Sequence, residues 1–248
     1  MRWFVVVLAV IALLAVGPLV MAFERGLQLD ARWYEAEREP AGLAPDPGEH
    51  EPALVQIYAA RAFSWRGILG VHTWIAVKDR GADHYRVLQV TRWSDGVSLS
   101  TTSTPDRAWF DNEPVILSEL RGDEAETAIT AIEEGAQRYP WRDGYRIWPG
   151  PNSNTFVAWL LRRVPGLEAE LPPTAIGKDY LGSDWYAKTP SDTGYQVSFG
   201  GLLGVTMALE EGLELNLLGL VLGIDPVDLG IKLPAVGRVG LWGVQPAG

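Results

Sequence analysis

Gly70–Lys78 reads GVHTWIAVK, and this stretch decides the fold. Its residues alternate, with Val71, Thr73, Ile75 and Val77 on one side and His72, Trp74 and Ala76 on the other. A period of two belongs to a β-strand, whose successive side chains point to opposite faces. Asp79–Asp83 (DRGAD) makes a charged turn with a glycine, and His84–Trp93 (HYRVLQVTRW) predicts a return strand. The two strands form a hairpin. Outward from it, Leu54–Ala62 predicts a strand before the hairpin and Val97–Thr102 one after it.

Asp123–Arg138 predicts a helix whose apolar stripe is Ala125, Ile129, Ile132 and Ala136. Asp123 is placed to cap it, Glu126 follows at the spacing of a capping box, and Pro140 ends it. Tyr145–Trp148 reads as a short strand before the rigid turn Pro149-Gly150-Pro151. Ser153–Val164 predicts a second helix, with Phe156, Val157, Leu160, Leu161 and Val164 at helical spacing and therefore a buried side. Residues 165–195 read as loop, and 196–248 as a glycine- and leucine-rich β extension. There Glu210-Glu211-Gly212 marks a hairpin tip and Leu213–Leu217 (LELNL) alternates as a strand does. Glu210, Glu211 and Glu214 argue against a transmembrane helix at this point. The expected class is α+β: an antiparallel sheet with two main helices in a single domain over 54–248, its core at 54–164.

Residues 3–23 carry no charge, which is enough for one helix across a bilayer core. Arg2 precedes the run and a net acidic stretch follows from Glu24, so the domain is expected outside the cytoplasm, in the cell envelope. Val20-Met21-Ala22 suits a signal-peptide cleavage site, whereas the length of the run exceeds the usual ~7–15-residue signal core; anchor and cleaved leader both stay open. Residues 24–53, broken by Pro40, Pro45, Pro47 and Pro52, read as a tether with a short helix around Asp30–Glu39. A net charge of −10 argues against nucleic acid as a partner. The absence of cysteine excludes disulfides, thiolate metal sites and a thiol nucleophile. No nucleotide or cofactor motif is present, and His72 and His84 with Asp83 form weak metal spacing, so no cofactor and no metal are expected. The sequence gives no sign of oligomeric state.

Two readings of chemistry remain. Ser153, at the first turn of a buried helix, sits among free backbone N–H groups at the positive dipole end, which suits a nucleophile and equally a cap. His72 on its rigid strand is the available base, with His84 or Gln89 to orient it and the amides of Asn154 and Thr155 to hold an oxyanion. Asn152 completes that substrate-facing turn. A serine hydroxyl needs full general-base help, unlike a thiol. The other reading is a non-catalytic module whose cleft, lined by Trp65, Trp74 and Trp148, holds a lipid or peptidoglycan fragment.

The order histidine strand, second polar residue, then a helix opening Asn152–Val157 (NSNTFV) resembles the permuted papain-like proteins, both NlpC-type envelope hydrolases and the lecithin retinol acyltransferase group. Ser153 takes the place of their cysteine and His84 that of the acyltransferases' second histidine. The resemblance implies a permuted papain-like core and acyl hydrolysis or transfer on an amide, ester or peptide. A fuller resemblance runs through VQIYAARAFSWRG (Val55–Gly67), VHTWIAVK (Val71–Lys78), WPGPNSNTFVAWL (Trp148–Leu160) and LPPTAIGKDY (Leu171–Tyr180). These are similar to the bacterial domain-of-unknown-function family 3750, which implies an envelope protein and no particular reaction.

Overall fold

A computed structural model describes residues 2–29, 31–240 and 243–246. An apolar helix, α1 (Arg2–Arg25), leads into the tether. The core sheet then forms from β1 (Leu54–Arg61), β2 (Val71–Lys78), β3 (Tyr85–Val90), β4 (Val97–Thr102) and β5 (Val115–Arg121) in the order β4-β3-β2-β1-β5. The neighbours pair antiparallel, with Ile75 opposite Ile57 and Leu88. The hairpin expectation holds, and the sheet gains β5, which the sequence reading missed. Two helices, α2 (Gly122–Gln137) and α3 (Ser153–Leu161), cover one face. Their apolar sides close on Val55, Ile57, Ile75, Val77 and Leu88 around Phe156 and Ile132.

Four local expectations need correction, and one is the loop over 165–195, which holds the strand Tyr186–Lys188 and the start of the strand Gly194–Phe199. Arg121, with no side-chain cap bond, precedes α2; Asp123 lies inside the first turn and binds Arg80 instead. Residues 145–148 form no strand: 147 and 148 lie in a bend, and Arg146 donates its amide to Pro151 across the turn. Residues 31–39 contain a turn closed by Glu35 N to Arg32 O rather than a helix, and Asp30 lies outside the described residues.

The tether runs along the other face of the sheet. Asp106 Oδ2 accepts from the amides of Leu43 (2.6 Å) and Ala44 (3.2 Å), and Tyr85 donates its hydroxyl to Pro45 O at 2.8 Å. Beneath lies a second core of Leu54, Tyr58, Ala60, Trp74, Ala76, Tyr85 and Val87.

The C-terminal extension is an eight-stranded meander: β6 (Tyr186–Lys188), β7 (Gly194–Phe199), β8 (Leu203–Ala208), β9 (Gly212–Leu217), β10 (Leu220–Asp225), β11 (Gly230–Leu233), β12 (Gly237–Gly240) and β13 (Gly243–Pro246). Each strand pairs antiparallel with the next. Glu210 and Glu211 do form the β8–β9 tip, and Gly212 takes φ +65°, the left-handed region that suits glycine there. Ion pairs seat the sheet on the core. Lys178 Nζ meets Glu214 Oε2 at 2.5 Å, and Lys232 Nζ meets Glu214 Oε1 at 2.8 Å and Glu170 Oε1 at 2.5 Å. Burial works to raise Glu214, but Lys178 and Lys232 outweigh it and hold the carboxyl below its ordinary value. Lys178 and its neighbour Asp179 are both buried within this network.

Candidate functional site: an aromatic cleft on the face opposite the helices

The pleat of β2 sorts the candidate residues. Thr73 points to the helix side, where its hydroxyl donates to Asn154 Oδ1 at 3.0 Å. His72, one residue earlier, points to the other side. There its Nε2–H donates to Gln89 Oε1 at 2.8 Å and its ring stacks on Trp109, with centroids 3.8 Å apart and planes 11° from parallel. Of the two residues able to orient it, Gln89 does so. His84 lies beyond the far end of the hairpin, six residues of strand or roughly 20 Å from His72, exposed and bound to Asp83 at 2.7 Å.

Ser153 and His72 are therefore directed to opposite faces of the sheet, and no hydrogen bond joins them. Among the described residues the Ser153 hydroxyl makes no side-chain hydrogen bond. The cap of α3 is Asn152, whose Oδ1 accepts from the amides of Asn154 (3.0 Å) and Thr155 (3.2 Å), while Thr155 Oγ1 accepts from the Asn152 amide at 3.1 Å. The amides proposed for an oxyanion are thus already engaged. Asn154 Nδ2 donates to Val71 O at 3.0 Å and Ile176 O at 2.8 Å, and so ties the helix start to β2. Burial pushes His72 down to about 4 against the Gln89 bond, which works to raise it. A ring neutral throughout the neutral range, with Nε2 already donating, is poorly matched to general-base work near pH 7.

The three tryptophans expected to share a cleft are apart. Trp148 caps the β9–β10 tip by donating Nε1–H to Leu218 O at 2.8 Å. Trp65 lies in the short 3-10 helix Ser64–Ile68, with Arg66 over its ring. Trp74 alone reaches the cleft, where its indole donates to Pro105 O at 2.9 Å and stacks on Tyr58.

That cleft has a volume of about 280 Å³. Trp74, Val87 and Gln89 form its floor, Trp109 and Phe110 one wall, and Arg38 and Arg107 are its cationic groups. The sequence reading missed Trp109. A signal existed in the run Trp109-Phe110-Asp111-Asn112, whose Asp-Asn pair favours a turn. Phe110 (φ 50°) and Asp111 (φ 67°) both occupy the left-handed region, at a cost of order 1–3 kcal/mol each. The Asn112 amide offsets this by donating to Trp109 O (3.1 Å) and Phe110 O (2.9 Å), which presents the two rings to the cleft. Exposed Trp93 extends the stack, parallel to Trp109 within 10°. Among the described residues no group of acidic and histidine side chains has the arrangement of a metal site.

An apolar helix, a helix-backed antiparallel sheet and an aromatic cleft on the face opposite the helices define a helix-tethered α+β domain. The family model described as "Protein of unknown function (DUF3750)" matches residues 52–180, more than half of the chain, and the chain belongs to that family. The matched span ends before the eight-stranded sheet begins. Searches of the curated proteins and of the solved structures found no match.

Proposed function

We propose that this is a membrane-anchored binding module of the cell envelope, with its domain on the extracytoplasmic side, and that the aromatic cleft takes an anionic sugar-bearing fragment of cell-wall or lipid origin. The observation that carries this reading is Trp109, braced by stacking with His72 and Trp93, lining one cleft with Trp74, Arg38 and Arg107. A sugar ring has an apolar C–H face, which an indole plane shields from water, and a hydroxyl edge, which Ser100, Thr102 and Thr104 in the cleft complement. On a chain of net charge −10, two arginines at one cleft form a local exception that favours an anion. The size suits one ring or headgroup, since ligand pockets usually begin near ~300 Å³. The anchor reading is supported by α1, whose residues Trp3–Arg25 are long and apolar enough to cross a membrane.

The test is titration of the full-length protein in detergent with a soluble disaccharide-peptide from peptidoglycan, followed by calorimetry. Trp109→Ala should weaken binding at least tenfold, and Ser153→Ala should leave it unchanged. Binding that is indifferent to Trp109, or substrate turnover that disappears in Ser153→Ala, would return the serine acyl hydrolase or transferase to first place.

A further inference from the structure

The eight-stranded sheet is inside out. Across the strands, one ladder runs Tyr195, Met207, Leu213, Ile224, Ile231 and Val239, and its neighbour runs Tyr186, Val197, Val205, Leu215 and Leu222. These side chains face outward: Met207 is 68% exposed, Ile224 53% and Leu215 43%. The intervening ladder is Gln196, Thr206, Glu214, Gly223, Lys232 and Arg238, and it faces inward. Glu214 and Lys232 on it are buried. A water-facing sheet on a soluble core shows the reverse alternation. Here the inward polar groups are matched by ion pairs to Lys178 and Glu170, so the inversion is built and not accidental. An outward apolar surface this broad marks an interface.

Its occupant follows from what adjoins it. The β11–β12 turn packs against α1, where Ala235 and Met21 are buried with Ile68, and a methyl added at Gly17 would strike the Pro234 carbonyl oxygen. Arg61 holds the same turn from the core by donating to Ala235 O (2.7 Å) and Val236 O (3.1 Å). The sheet is therefore fastened directly to the helix that reaches the bilayer. At the β6 edge the exposed rings of Trp185, Tyr186 and Tyr195 cluster beside Lys188, the aromatic and cationic mixture that favours the headgroup layer.

We infer that the outer face of the β6–β13 sheet lies against the lipid bilayer, with its leucine and isoleucine ladders in the acyl boundary and the Trp185–Tyr186–Tyr195 edge at the headgroups. This rests on the membrane attachment of α1. Apolar-out, polar-in alternation is what lipid selects in β-structure. The occupant is thus hydrocarbon, and the domain lies flat on the membrane instead of hanging from it.

Because the chain lacks cysteine, single cysteines report cleanly. Val205→Cys, Leu215→Cys and Ile224→Cys in the sheet, Phe4→Cys in α1 and Glu134→Cys on α2 are labelled with a polarity-sensitive nitrobenzoxadiazole dye. The full-length variants are reconstituted in phosphatidylcholine–phosphatidylglycerol vesicles. The three sheet labels and the Phe4 label should be blue-shifted and quenched by nitroxide-bearing acyl chains, and the Glu134 label only by aqueous iodide. Sheet labels quenched by iodide while Phe4 stays lipid-quenched would overturn the inference and leave the anchor standing. Iodide quenching at Phe4 as well would remove the membrane attachment itself. Sheet labels shielded from both quenchers but self-quenching in proportion to labelled fraction would show a second copy on this face, which also overturns it.

Discussion

Gln89 holds His72 from the neighbouring strand at 2.8 Å, on the sheet face turned away from Ser153. This pair has a consequence for acid stability. An unfolded histidine titrates near 6.5, whereas burial lowers the native ring to about 4. Between those values the unfolded chain binds the extra proton, so stability rises with pH across the window. Lowering the pH from about 6.5 to about 4 should cost on the order of 3 kcal/mol through this residue. His72→Gln should flatten most of that slope in urea titrations, leaving a residue from His50, which burial also lowers. An unchanged slope in the variant would refute the buried neutral imidazole.

Asn152, not Ser153, should matter for stability. Asn152→Ala removes a cap bonding two amides and should cost about 1–2 kcal/mol. Ser153→Ala removes a buried hydroxyl that makes no side-chain hydrogen bond, and should be about neutral or slightly stabilising. Chemical denaturation of the two variants decides, and a reversed order would mean that the serine hydroxyl has a partner.

Gly177 should be irreplaceable for a steric reason. It takes φ +101°, and an added methyl would lie 2.5 Å from Asn152 Nδ2. Gly177→Ala should cost about 1–3 kcal/mol. Combined with Asn152→Ala the two losses should be less than additive, because the second change removes the atom that clashes. Full additivity would place the cost in the backbone alone.

Glu214 should hold the meander to the core. Glu214→Ala leaves Lys178 and Lys232 buried with one fewer counter-charge, and breaking such a group typically costs about 3–5 kcal/mol. Hydrogen exchange should show the β9–β11 amides losing protection before those of β1 and β2. Uniform loss across both sheets would mean that they unfold as one unit.

Much of the core sheet was legible because its signals are local. Val97–Thr102 was bounded as found, and the alternation of GVHTWIAVK already set His72 against Thr73. What alternation does not tell is which of two faces a helix will cover, and the Thr73–Asn154 bond, formed across 81 residues, decides that. β5 escaped because VILSELR runs straight into α2, which opens at Gly122 with no residue between. Leu213–Leu217 was recognised as a strand, but the ordinary expectation buries its leucines. Glu214 and Asn216 are buried instead, since their partners Lys178 and Asp179 come from a segment whose proximity no periodicity reveals. Trp109 escaped for a related reason: a loop with left-handed residues at Phe110 and Asp111 carries no period at all.

The seat of Met21 between Ile68 and Ala235 bears on how the protein is made. α1 precedes in the chain the turn that grips it, with the whole core sheet between them. The joint can form only once the core sheet and the strands up to β11 have been made. Removal of the leader by a peptidase after Ala22 would take Met21 and Gly17 with it and leave Ala235 and Ile68 uncovered. The packing of Met21 and Gly17 thus makes α1 part of the hydrophobic interior it touches, not only a segment that precedes the domain.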